Sequence, residues 1–167
     1  MLEPSLDLYG QAFDEVENLL KELVAKSRAR YALIIDLKGF VLMHARALWA
    51  PVPPSLDSFA TLVASNYSAN RAIARLFGED GFRELVQQGE QIGTYMEGLG
   101  EHALLVTVYD GSANLGRVKL ATRETAEEVR EVLDANSADA PAFSLDDGWA
   151  GEAGSLLDSL FGDGGDN

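Results

Sequence analysis

No cysteine occurs anywhere in the 167 residues. That absence excludes disulfide scaffolds, thiolate metal sites and cysteine nucleophiles together, and it suits a cytoplasmic protein. Long hydrophobic runs are also lacking. Runs such as Ala103 to Val108 fall far short of the roughly 20 residues that cross a bilayer, and no secretory pattern of basic then apolar residues opens the chain. Basic residues are few, 13 Lys and Arg against 27 Asp and Glu, for a formal net charge of −14. From Glu131 onward there are nine acidic residues and no Lys or Arg, so −9 of the −14 lies there and −5 in residues 1–130. Such a balance repels phosphate backbones and anionic lipid surfaces, so neither nucleic-acid binding nor direct membrane insertion is expected. A basic protein partner is favoured.

Chemical motifs are missing as well. Neither G-x-x-x-x-G-K-[ST] nor G-x-G-x-x-G is present, which leaves a nucleotide site nothing to rest on, and G-x-S-x-G and H-E-x-x-H are absent. His44 and His102 are the only histidines. Each falls in an expected strand without a carboxylate at ligand spacing, so a half-buried, hydrogen-bonded ring is the simpler reading than a metal ligand or base. The pairs Asp146-Asp147 and Glu127-Glu128 read as solvated charge rather than as an acid–base couple. No catalytic residue, metal or cofactor is expected.

What is present is a hydrophobic content of 47%, enough for one packed domain. Residues 11–28 place Phe13, Val16, Leu19, Leu20, Leu23 and Val24 at helical spacing. YALIIDLKGFVLMHAR reads as two strands joined by a tight turn at Lys38-Gly39, the first apolar on both faces and therefore central in a sheet covered on both sides. Pro51, Pro53 and Pro54 force an extended connector. Ser55 or Asp57 then caps a helix that runs to about Phe77 and ends at Gly78. Strands are expected over Phe82–Gln88, Ile92–Leu99 and His102–Asp110, followed by a helix over residues 114–135. Successive strands joined by short connections pair antiparallel. The fold class is α+β: one antiparallel five-stranded sheet with helices on both faces, in the order α-β-β-α-β-β-β-α.

Viewed down its axis at about 100° per residue, the second helix has a stripe of Phe59, Leu62, Val63, Asn66, Asn70, Ile73 and Phe77 that reads as core-facing. Asp57, Ala60, Thr61, Ala64, Ser68, Arg71, Ala72 and Arg75 lie opposite. Ala60, Ala64, Ser68 and Ala72 recur every fourth residue, and a ridge so flat lets another helix approach closely. Alanine is also simply a good helix former. Beyond residue 135 the chain becomes an acidic tail, expected to be largely disordered (residues 136–167), with one amphipathic stretch near 149–161. There Trp149, Leu156, Leu157, Leu160 and Phe161 could dock on this domain or on a partner.

The element order and several segments resemble the Roadblock / dynein light-chain domain family, and within it the bacterial mutual gliding protein B (MglB) group. The segments that carry the likeness are EPSLDLYG at 3–10, RYALIIDLKGFVLMH at 30–44, LWAPVPPSLDSFATLVASN at 48–66, EHALLVTVYD at 101–110 and LGRVKL at 115–120. The resemblance spans residues 3–135 and implies a Roadblock/profilin-like sandwich. It further implies a homodimer paired through an edge strand and the second helix, and a GTP-loaded Ras-like GTPase of the MglA type as partner. On that reading the chain stimulates GTP hydrolysis without catalytic groups of its own, in the polarity or motility control of a bacterial cell, and is cytoplasmic with a polar position. The partner-facing or dimer face carries over to Ala60, Thr61, Ala64, Ser65, Ser68, Arg71, Ala72 and Arg75. A scaffold of the same fold that leaves hydrolysis unchanged is the alternative.

Overall fold

Tyr31–Asp36 and Ala103–Asp110, the two runs apolar on both faces, lie innermost in a computed structural model that describes residues 10–139. The elements are α1 (Gly10–Ser27), β1 (Tyr31–Asp36), β2 (Val41–Arg46), α2 (Leu56–Leu76), β3 (Leu85–Gln88), β4 (Ile92–Leu99), β5 (Ala103–Asp110) and α3 (Leu115–Asp139). This is the order expected from the sequence. The strands form one sheet in the order β2-β1-β5-β4-β3, with every pairing antiparallel. Among the described residues no helix is long and apolar enough to cross a membrane.

Because side chains alternate along a strand, the register sorts the sheet into two faces. Ala32 and Ile34 share one face with their β5 partners Thr107 and Leu105. The Thr107 and Thr122 hydroxyls, 2.9 Å apart and buried, place α3 on that face. α1 packs beside α3 and buries Val16, Leu20 and Leu23 completely. Each such side chain contributes on the order of 1.5–3 kcal/mol relative to exposure. Tyr31 and Leu33 belong to the other face, with Val108 opposite Tyr31. Pro53, Pro54, Leu56 and Phe59 close over these three around a small cavity of about 50 Å³, which puts the proline connector and the start of α2 on this side.

Four expectations shift. Phe13, expected inward, is 40% exposed, in the turn before the first fully buried residue, Val16. β3 begins at Leu85 rather than Phe82, where the ladder opens with Leu85 opposite Met96. Just before it, the Glu84 carboxylate is drawn to α3 by Lys119 at 2.5 Å and Arg123 at 2.7 Å. α3 continues to Asp139, because the polar stretch after residue 135 holds no helix breaker before Pro141. His44 and His102 are both exposed, and His102 lies in the turn before β5 rather than in a strand. Residues 140–167, with the tail positions Trp149, Leu156, Leu157, Leu160 and Phe161, and residues 1–9 lie outside the described residues.

One ion pair ties the sheet centre to the turn before α3. Arg30 Nε donates to Asp110 Oδ2 at 2.6 Å, while Asp110 Oδ1 accepts from the Ser112 hydroxyl at 2.6 Å and the Ser112 N–H at 2.9 Å. The Ser112 hydroxyl first, then Arg30, hold the Asp110 carboxyl down at about 2. A carboxyl depressed in the folded state stabilises the fold above its unfolded value, and that contribution is lost as pH falls through the folded value. Stability of the wild type should therefore decline between about pH 4 and pH 2 more steeply than that of Asp110→Asn, which should already be less stable at neutral pH. Denaturant melts across this window check it; parallel curves would remove Asp110 as the source.

Candidate protein-interaction surface

Ser55 opens α2, its hydroxyl accepting the Ser58 N–H, and Phe77 closes it with its N–H on the Ala74 carbonyl. The helix is therefore cut where the sequence indicated. Its rotation is different. Ala60, Val63, Ala64 and Ala74 are its buried residues, while Leu62 is 69%, Ile73 46%, Leu76 82% and Phe77 79% exposed.

The reason is how close the helix lies to the β1–β2 turn. A Cβ added to Gly39 would stand 2.9 Å from the Cα of Thr61, and Gly39 has a φ of 96° that favours glycine in any case. Asp36 Oδ1 fixes this turn by accepting the Lys38 and Phe40 N–H groups at 3.0 and 2.8 Å. Farther along, a Cβ on Gly98 of β4 would meet the Tyr67 hydroxyl at 3.3 Å. At the Gly39 contact small side chains fill the gap, so Ala60 and Ala64 face inward there, whereas at Gly98 the long Tyr67 side chain spans from α2 to the sheet.

Ala60 and Ala64, expected on the outward face, are thus corrected to core positions, 0% and 4% exposed. Leu62, Ile73 and Phe77, expected inward, are corrected to the surface. Thr61, Ser65, Ser68, Ala72 and Arg75 are exposed as read. Arg71 is half-buried, its Nε 3.5 Å from the Asp80 carbonyl oxygen. Thr61 and Ser65 donate their hydroxyls to the carbonyls of Asp57 and Thr61, each at 2.9 Å, which leaves carbon atoms outward.

The exposed face has a pattern of its own. Ser58, Leu62, Ser65, Ala69, Ala72 and Leu76 recur at alternating steps of four and three, with Ile73 beside Ala72. That is the spacing of a helix–helix seam. The seam was legible as a repeat, but the wheel centred on the bulkiest residues concealed it. β3 adds a second unpartnered element: it is one edge of the sheet, β2 being the other, it pairs only with β4, and Val86, Gln87 and Gln88 on it are exposed. Edges of this kind are templates for another strand. No group of three or more His, Cys, Asp or Glu that could hold a metal exists among the described residues.

Substitution separates the two sides of α2. Ala64→Arg should cost about 2–3 kcal/mol, because a cation is forced into a packed gap, whereas Ala72→Arg should change stability by no more than about 0.5 kcal/mol. Urea unfolding of both variants checks the rotation, and equal costs would contradict it.

The comparisons with known proteins agree with this geometry. The model of the Roadblock/LC7 domain matches residues 15–109. A solved structure described as MglB with tetrameric arrangement shares 51% identity at a TM-score of 0.76, covering 80% of this chain and 98% of its own. The gliding protein MglB from Thermus thermophilus shares 50% identity at a TM-score of 0.76, over 80% of this chain and 99% of its own. Myxococcus xanthus MglB, at 24% identity and a TM-score of 0.68, covers 74% of this chain and 98% of its own and shows the same fold. No match is found among curated proteins. With the family model spanning more than half of the chain, and half of the aligned residues identical to MglB structures, this chain belongs to the Roadblock/LC7 domain family.

Proposed function

We propose that this chain is a non-catalytic, homodimeric regulator that binds a GTP-loaded Ras-like GTPase of the MglA type and stimulates its GTP hydrolysis, in the control of cell polarity or motility. The observation that carries the reading is the apolar seam of α2, with Leu62, Ile73, Leu76 and Phe77 all exposed in the single chain. A two-fold axis beside α2 and β3 covers the seam and the open sheet edge together. The likeness to a relative described as having a tetrameric arrangement supports self-association here too.

On this reading the flank of α2 that carries Thr61, Ser68 and Arg75 is left for the GTPase. Many GTPase activators insert an arginine at the transition-state phosphate. Arg71 is engaged at the Asp80 carbonyl, and Arg75 is the exposed candidate. The chain instead repositions groups of the GTPase itself. The protein acts in the cytoplasm, with a polar position in the cell.

Light scattering after size exclusion should give about twice 18.0 kDa, and Leu76→Asp should give a monomer. Phosphate release by an MglA-type GTPase should accelerate about tenfold or more with the wild type, should be lost with Leu76→Asp and should largely persist with Arg75→Ala. Binding without acceleration would make the protein an adaptor. Loss on Arg75→Ala would make it a donor of arginine.

A further inference from the structure

Four of the thirteen basic residues of this acidic chain meet in one cavity of about 720 Å³ where the end of α1, the loop after β2 and the start of α3 converge. Lys21, Arg28, Arg46 and Arg117 line it together with Leu48 and Trp49. Leu48 is fully exposed and Trp49 is 52% exposed. Lys21 has Glu17 at 2.9 Å, and Arg46 donates to the Ala50 carbonyl at 3.3 Å. Among the described residues Arg28 and Arg117 form no ion pair.

Arg28 carries a second signal. It is the one described non-glycine residue at positive φ, 58°, in the position just after α1 that glycine fills at lowest cost. Ser27 completes that helix end by donating its hydroxyl to the Leu23 carbonyl and accepting the Ala29 N–H. The backbone there would suit glycine, so strain is spent on presenting a guanidinium to the groove.

We infer that this groove is a docking site for the chain's own C-terminal segment, seated through Leu156, Leu157, Leu160 and Phe161. Charge complementarity selects it. Residues 140–167 carry six acidic groups and no Lys or Arg, and they set apolar residues at helical spacing among those acids. Chain length permits it. α1 and α3 run antiparallel, since the start of α1 and the end of α3 share one cavity while the end of α1 and the start of α3 share this one. The return from Asp139 to Arg117 along α3 is therefore about 33 Å. Residues 140–155, extended, span about 50 Å, so Leu156 reaches the groove with chain to spare. The inference stands whether or not the partner is a GTPase.

The lack of cysteine gives a clean test in the full-length protein. In Leu157→Cys the single thiol should react with a maleimide about tenfold more slowly in buffer than in the urea-unfolded chain. Adding Arg117→Glu, or about 0.5 M salt, should restore most of that rate. Adding Arg28→Gly should restore it while leaving the melting temperature unchanged or higher, which separates the groove from the fold. A thiol as reactive in buffer as in urea overturns the docking, and protection indifferent to both arginine changes places the segment elsewhere. Protection that vanishes on dilution assigns the groove to the tail of a second copy and overturns the same-chain assignment.

Discussion

The separation between α2 and the β1–β2 hairpin governs what this molecule presents to others. With Gly39 against the backbone of Thr61, there is no room for a large side chain at the neighbouring Ala60 and Ala64 positions, while Leu56 and Phe59 before them still close over Tyr31 and Leu33. Alanine fills the gap at Ala60 and Ala64, and close packing there is insensitive to their small contribution of apolar area. The consequence appears on the opposite side. The large side chains that a helix ordinarily buries are carried outward as Leu62, Ile73, Leu76 and Phe77. A tight internal contact and an exposed apolar face lie on opposite sides of the same helix.

Electrostatics follow a similar division. Across the α1–α3 side, cations are matched locally: Arg30 with Asp110, Lys119 and Arg123 with Glu84, Lys26 with Glu124. Lys119 above all holds the Glu84 carboxyl below its ordinary range. These pairs are partly exposed and individually modest, and their service is to fix the start of α3 and the approach to β3 relative to the sheet. Where the matching stops, at Arg28 and Arg117, the surface turns positive in a chain that is otherwise strongly acidic. Local field, rather than net charge, then decides which segment or partner is attracted.

The features that stand out in this architecture are surfaces. No catalytic constellation was legible in the sequence, and the apolar seam, the β3 edge and the flank of α2 are exposed surfaces of a kind suited to contact with another chain. Membership of the Roadblock/LC7 family and close likeness to MglB structures agree with that character.

What the sequence by itself determined was the set of elements and their order. Hydrophobic periodicity fixed α1, β1, β4, β5 and α3, Ser55 and Gly78 bounded α2, and two strands apolar on both faces had to lie at the centre of the sheet. These are local signals, set by backbone geometry and by the need to bury apolar area. Which side of α2 meets the sheet was decided only by tertiary structure. The helical spacing gave two candidate faces and a rule that bulk points inward, but the gap to be filled depends on Gly39, which lies in the β1–β2 turn. Likewise nothing in the spacing of Lys21, Arg28, Arg46 and Arg117 announces a shared groove. They come from a helix, the position after it, a strand and a second helix, and only the antiparallel packing of α1 against α3 beside the end of β2 brings them to one place.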